Sequence, residues 1–499
     1  MAAARPPDSH PGWAGLAAVC LGTFMLLVDV TIVNVALPEM APALGASFSD
    51  LQWIVTAYAL TLAALLLLIG SLSDVVGRRR TYLAGLGVFA AASLACGLAP
   101  SVDVLIAARA VQGVGGAAMF ATSIALISAT YSGSARGVAF GIWSATNGAA
   151  ASAGPIVGGL LTQGLSWRWV FFVNVPLGLV AIAVARRALR EPPVAAGRRI
   201  DWAGGIAFTL AAAAATVTVM EAGGEGWTSA WTLGPLAVAV LGLCAFVAIE
   251  SRSRAPLLDL GLLRRGTLTG VLIAAAFLMA TAFGALPYAS IWLQSVLGLD
   301  PVEAGLVIVP LSASAFVVAV AGGRLSQRIA PRRVFGVALA LIAIGDVLQA
   351  GLDGGSEWPR LLAGVVVVGI GVGVASPVLA SAAVDAVPHD RAGMAAGAVN
   401  TARQFGLVLG IAVLGSVFSA RIADRLGGEL RRSGDAELVA SGGARTVLDA
   451  APVADRAQLD GAIRDAVSAA LGTTFLIASL AALLGLALVL ALLRTRPAG

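Results

Sequence analysis

The chain has 499 residues, 59% of them hydrophobic and 12% charged, with a mean hydropathy of +0.91. A water-soluble domain has about a quarter of its residues charged, so this composition excludes one. The 32 basic residues, all arginine, against 27 acids give a net charge of +5; it reflects loops that face the cytoplasm and gives no ground for nucleic-acid binding.

The apolar runs are of helical membrane-spanning length, about 20 residues. A transmembrane β-barrel would show segments of roughly 10 alternating residues instead. The expected fold class is therefore an all-α integral membrane protein with about fourteen transmembrane helices. In chain order the predicted spans are 13–37, 50–72, 81–99, 104–128, 137–163, 169–189, 202–221, 233–250, 268–294, 302–323, 333–352, 360–383, 394–419 and 468–493. The first is too long for a cleaved signal peptide and carries Asp29. The arginines Arg78–Arg80, Arg136, Arg186–Arg199, Arg252–Arg265 and Arg328–Arg333 all fall on the side of the N-terminus. The opposite short loops hold only Arg168 and Arg360, at helix ends. By the positive-inside rule both termini are cytoplasmic. The long outer stretch 421–467 mixes arginines with acids, as long translocated loops do, and its last part, Asp455 to Ser468, has the spacing of a helix leading into the final span.

Between the second and third spans stands GSLSDVVGRRR, Gly70 to Arg80. Gly70 and Gly77 let two helix ends approach, and Asp74 is placed to meet a neighbouring helix N-terminus or an arginine. GRLSQRIAPRR, Gly323 to Arg333, repeats the pattern 253 residues later. That offset divides the chain into a tail (1–12), a six-helix half (13–190), two inserted helices with charged connections (191–265), a second six-helix half containing the long outer loop (266–493), and a tail (494–499). Two halves related by an axis along the membrane normal are one architecture of secondary transporters.

Four further stretches stand out. VDVTIVNVALP, Val28 to Pro38, buries an acid in the first span, which is costly without a partner or a water-filled cavity. Asp29 can lock helices by a hydrogen bond or carry a proton. LIAARAVQGVGGAA, Leu105 to Ala118, holds Arg109 and Gln112. At 1.5 Å rise per residue, Asp29 and Arg109 both sit roughly 8–12 Å below the outer boundary and can influence each other; snorkelling of Arg109 to the headgroups is the alternative. GPIVGG, Gly154 to Gly159, places Pro155 in the fifth span, with Gly154, Gly158 and Gly159 permitting close contact. WRWVFFVNVP, Trp167 to Pro176, enters the sixth span with aromatics that also fit an interfacial belt.

Together with NTARQFGLVLG, Asn400 to Gly410, these motifs resemble the major facilitator superfamily in its fourteen-span drug:proton antiporter branch. The resemblance touches most of the chain. It implies that Gly70, Asp74, Gly77 and Arg78 form a cytoplasmic gating loop, that Gly154–Gly159 is the helix typical of antiporters, and that the first, fourth, ninth and twelfth spans line the cavity. Asp29 and Arg109 are then the candidates for proton coupling: burial disfavours the charged acid, the arginine favours it, and small changes of geometry load or release a proton. Asn34, Gln112, Asn147, Phe283 and Tyr288 are the candidate cavity residues, with Phe277, Met279 and Trp292 adding apolar and aromatic wall. Glu221 and Asp346 are secondary acid candidates; Asp385 lies at an inner end, and Arg403 is structural or snorkelling.

The expected function is proton-coupled export of amphipathic drugs, antibiotics or toxic metabolites by alternating access, from a plasma (inner) membrane. An uptake symporter is the alternative, against which Gly154 and Pro155 argue. A polytopic membrane enzyme or sensor is a further one, with no nucleophile–base pair, metal cluster or nucleotide loop to support it. Cys20, Cys96 and Cys244 lie in apolar runs, and His10 and His389 are far apart in sequence, so no metal and no cofactor is expected. Expected partners are small amphipathic substrates, protons and membrane lipid, on a monomer.

Overall fold

The computed structural model describes residues 13–131, 133–191, 201–224, 226, 228–253, 256–263, 266–326, 329–388, 392–427 and 434–493. The first half comprises α1 (Trp13–Leu44), α2 (Phe48–Val76), α3 (Arg78–Gly97), α4 (Val102–Thr130), α5 (Gly133–Gly164), and a sixth crossing made of α6 (Trp169–Phe172) and α7 (Asn174–Ala188). The inserted pair is α8 (Trp202–Gly224) and α9 (Ala230–Glu250), followed by the single turn α10 (Leu260–Leu263). The second half runs through α11 (Thr267–Phe283), α12 (Leu286–Ile291) and a π-helical turn (Trp292–Val296). It continues through α13 (Pro301–Ser326), α14 (Pro331–Ala350), α15 (Pro359–Asp385), α16 (Ala392–Leu426), α17 (Asp435–Ala440), α18 (Ala444–Ala450) and α19 (Arg456–Leu492).

Every predicted span falls on one of these crossings, and among the described residues twelve of them are long and apolar enough to cross a membrane. The other two are α3 and α5, so length and hydropathy do not establish the expected count of fourteen. Two boundaries need correction. The ninth span is not one helix: Pro287 sits at the start of α12, where it lacks an N–H and its ring crowds the carbonyl one turn back, so the helix breaks at Gly284 and Ala285. The first part of the stretch 421–467, expected as a loop, holds further helix, because α16 continues to Leu426 and α17 and α18 fold within it; its last part is the helix expected from Asp455, found as α19 from Arg456.

The two halves repeat each other in detail. Gly45 (φ +61°) and Gly298 (φ +72°) make the same left-handed turn after the first crossing. Reciprocal caps follow at each place: Ser47 N–H donates to Asp50 and Asp50 N–H to Ser47 Oγ, while Asp300 N–H donates to Glu303 and Glu303 N–H to Asp300. The inserted helix α8 packs along both α2 and α16, with Thr209 donating to the Ala64 carbonyl and Phe208 against Phe405. It thus lies across the seam between the halves. α9 packs chiefly on α8 and exposes Leu241, Leu243 and Val247, a surface suited to lipid.

Candidate functional site

α1 carries Asp29 into the middle of the first half, where its side chain is fully buried. Three side chains donate to it: Arg109 Nη1 on α4 to Oδ2 at 2.5 Å, Gln112 Nε2 one turn along α4 to Oδ1 at 2.9 Å, and Asn174 Nδ2 on α7 to Oδ1 at 3.0 Å. Arg109 is only 1% exposed, so it does not snorkel. Its Nε donates to the Ile54 carbonyl on α2 at 2.9 Å and its Nη1 also to Gln112 Oε1 at 2.6 Å. The guanidinium carbon lies 4.4 Å from the centre of the Tyr58 ring and 5.8 Å from that of Phe171. Gln112 Nε2 in turn donates to Ser93 Oγ on α3 at 2.8 Å. A buried ion pair offsets its desolvation only when the remaining donors and acceptors are also met, and here the neighbours meet them. Five crossings are tied to one carboxylate.

The depth argument from sequence brought Asp29 and Arg109 together correctly, but it missed Asn174 and Ser93. Asn174 was visible as an amide among apolar residues just before Pro176; Ser93, one small residue in an apolar run, gave no signal. Gln112, expected to line a substrate cavity, belongs to the ion-pair cluster and is fully buried. Of the other cavity candidates, Asn34 and Asn147 each leave a buried side-chain carbonyl oxygen without a partner, and Phe283 is partly buried against the core. Tyr288 is buried at the boundary of the halves, where its hydroxyl accepts from Gln52 Nε2 at 3.0 Å and donates to the Ile411 carbonyl at 2.5 Å. Trp292 is likewise buried and donates to Ser468 Oγ at 2.8 Å, so it packs α19 rather than walling a cavity.

At the end of α2, Asp74 accepts from Arg78 Nε and Nη2 at 3.1 and 3.0 Å. Gly77 takes φ +115°, and a side chain there would meet the Glu191 carboxylate at 2.8 Å. Glu191 accepts from the backbone N–H groups of Arg79 and Arg80 at 3.0 and 3.1 Å. The helix N-terminus expected for Asp74 is thus served by Glu191, 112 residues from Arg79. In the second copy, Gln327 and Arg328 lie outside the described residues.

Pro155 is accommodated within α5, which lies between the halves. A side chain at Gly154 would strike Thr31 and one at Gly158 would strike Ile32, both on α1. On the other face a side chain at Gly159 would strike Pro301 and Val302, and one at Gly305 the Pro155 carbonyl. Further bonds across the boundary run from Gln294 Nε2 to the Val35 carbonyl at 2.9 Å and from Gln163 Nε2 to Asp300 at 3.2 Å. Among the described residues these contacts gather at the end that carries Gly45, Gly164 and Gly298. Glu221 is partly buried at the end of α8, and Asp346 is buried within the second half. Among the described residues no group of three or more His, Cys, Asp or Glu is placed to hold a metal ion.

The chain is similar to several known proteins. The Multidrug resistance protein Stp of Mycobacterium tuberculosis (strain ATCC 25618 / H37Rv) is 36% identical over 84% of this chain and 78% of its own length. The Tetracenomycin C resistance and export protein of Streptomyces glaucescens is 35% identical over 83% of this chain and 77% of its own, and the Puromycin resistance protein pur8 of Streptomyces alboniger 34% over 85% and 84%. A solved bacterial homologue of the human lysosomal transporter Spinster, inward-facing and unoccupied, matches the fold with a TM-score of 0.67 at 19% identity, over 98% of this chain and 100% of that one. The family model described as Major Facilitator Superfamily matches residues 19–411, which include the Asp29–Arg109 cluster, the Gly70–Arg80 turn and the α5 contacts, and the chain belongs to that superfamily of transporters.

Proposed function

We propose that the chain is a proton-coupled exporter of small amphipathic toxic compounds. The observation that carries the reading is the buried Asp29–Arg109 pair, with Gln112 and Asn174 completing the shell of the carboxylate. A protonated Asp29 would no longer balance Arg109, and three donors would lose an anionic acceptor at once. The same groups hold α1, α2, α4 and α7 together, so the proton state of one acid biases how those crossings pack. Relatives named for resistance to tetracenomycin C, puromycin and several drugs support the export direction and the substrate class.

The arginine bias puts Gly45, Gly164 and Gly298 on the outer side, and both termini in the cytoplasm of a cell whose plasma membrane holds the protein. The interlocked ends are then the outer ends, and this conformation is closed outward. Export proceeds by rocking the halves about the α5–α13 and α2–α16 contacts, with the Asp74–Arg78 turn as an inner latch. The proton gradient drives the cycle; no cofactor enters it, and one copy of the chain suffices.

Puromycin and a panel of amphipathic antibiotics supplied to an efflux-deficient host identify a substrate. Proton movement driven by that substrate in proteoliposomes then tests the coupling. Efflux that lowers an imposed pH gradient supports antiport, and accumulation along the gradient would indicate the uptake symporter instead.

A further inference from the structure

The second half contains a small cavity of about 20 Å³ between α11, α12, the π-helical turn, α13, α14, α15 and α19. Asp346 lines it. That carboxyl is 2% exposed, and its Oδ2 has no hydrogen-bond partner.

The position of this cavity is not arbitrary. The offset of 253 that relates the two arginine turns carries Ser93 on α3 onto Asp346 on α14. The contacts around the helices extend the match. Side chains at Gly113 would strike Tyr58 and Thr61, and at Gly369 would strike Leu311 and Ser314, the residues 253 further on. Gly115 meets Gly85 and Phe89 as Gly371 meets Ala338 and Ile342, the partners again 253 apart and the glycines of both pairs 256 apart. These glycine pairs place Val365 and Val368 of α15 where α4 has Arg109 and Gln112. Ala90 on α3 meets Gly178 on α7, and its counterpart Ala343 on α14 meets Ser479 on α19, which places Phe475 where α7 has Asn174. The counterpart of Asp29 falls at Thr281–Ala282. Thr281, Ala282, Asp346, Val365, Val368 and Phe475 all line the cavity. It is the second half's version of the ion-pair site, with the arginine, both amides and the original acid replaced, and with an acid where the first half has a serine.

From this the geometry points to a second proton-binding site at Asp346, occupied in the present conformation and exchanged when the second half rearranges. An ionised carboxylate would stand here with no cation: among the lining residues Asp346 is the only titratable or charged one. Burying an unpaired charge is disfavoured strongly, whereas the neutral acid is a modest polar group. Gln349 and Thr281 are the only other polar residues lining the cavity, and each donates to its own helix, to the Gly345 and Phe277 carbonyls. The volume suits one water-sized group and rules out an organic substrate. Asp29 has Arg109, Gln112 and Asn174 donating to it, whereas no residue lining the cavity sets a cation beside Asp346.

The inference rests on the reading of the chain as proton-coupled, and infrared spectroscopy of the purified, reconstituted full chain tests it without a substrate. The expected result is a C=O stretch of a protonated carboxylic acid at neutral pH. That band should be lost in Asp346→Asn, moved in Asp346→Glu, kept in Asp29→Asn, and shifted after transfer to D2O. If neither Asp346 variant alters the acid band, the site is overturned. A band that D2O never shifts marks a static structural acid and overturns the exchange. A band abolished by sodium chloride but not by choline chloride at fixed pH marks a sodium site and overturns the proton assignment. A wild-type chain that keeps the exchangeable Asp346 band yet moves no proton with puromycin or any other exported compound refutes the antiport reading alone.

Discussion

At the scale of the residue, the first half concentrates its chemistry in one buried carboxylate. Losing one partner of such a pair leaves an unbalanced charge, which costs about 3–5 kcal/mol. Asp29→Asn and Arg109→Gln are therefore each expected to lower the melting temperature in detergent, and the double substitution to recover part of that loss. Additive losses would mean that the two side chains are not paired. Asp29→Asn should also abolish export driven by a pH gradient, and restored stability in the double variant should not restore it. Asn174 offers a finer test, since its amide donates to Asp29 without belonging to the ion pair. Asn174→Leu removes one donor and leaves Arg109 in place, so it is expected to lower the melting temperature by less than Arg109→Gln and to slow transport. An unchanged melting temperature with transport intact would take Asn174 out of the site.

At the scale of the element, α5 is one of the helices on which the halves meet. Its glycines fit backbone into backbone: Gly158 against Ile32 of α1, Gly159 against Pro301 and Val302 of α13. Gly159→Val is expected to prise the facing ends of α5 and α13 apart and to abolish transport with the protein still inserted. A cysteine placed near that contact, at Gln163, should become more reactive toward an external thiol reagent in the Gly159→Val background. Unchanged reactivity and unchanged transport would show that this contact does not close the outer side. The inner turn has a different logic. Gly77 is needed because its φ of +115° and the neighbouring Glu191 leave no place for a side chain, and Glu191 caps the start of α3.

At the scale of the whole molecule, orientation rests on the arginine bias and on helix alternation. Glu437 in α17 and Arg187 at the end of α7 are both exposed and stand on opposite sides of the predicted membrane. In a Cys244→Ala background, Glu437→Cys is expected to react with an impermeant thiol reagent from outside intact cells, and Arg187→Cys only after permeabilisation. Reaction of both from the same side would refute the fourteen-span topology. The inserted helix α8 adds a constraint on any rocking motion, because it touches α2 of one half and α16 of the other. The seam it covers has to slide or open while α9, mostly facing outward, follows it.

Much of this protein was legible without coordinates. Apolar runs specify membrane helices by composition alone, because a backbone in hydrocarbon must satisfy its own hydrogen bonds. Arginine placement, the repeated turn and the proline-bearing glycine helix are likewise local patterns. Composition could also place Asp29 and Arg109 at one depth. It could not choose their companions: Arg109 reaches across 80 residues and Asn174 across 145 to the same carboxylate. Nor could it distinguish Asp346, which in sequence is one more acid in an apolar run. The offset of 253 sets this acid at the counterpart of Ser93, but only the packing of the second half decided that it stands beside a cavity where arginine and amides have become valine and phenylalanine. Helices are specified within a stretch of chain, whereas the environment of a buried charge is specified by which stretches meet, and that belongs to the tertiary structure.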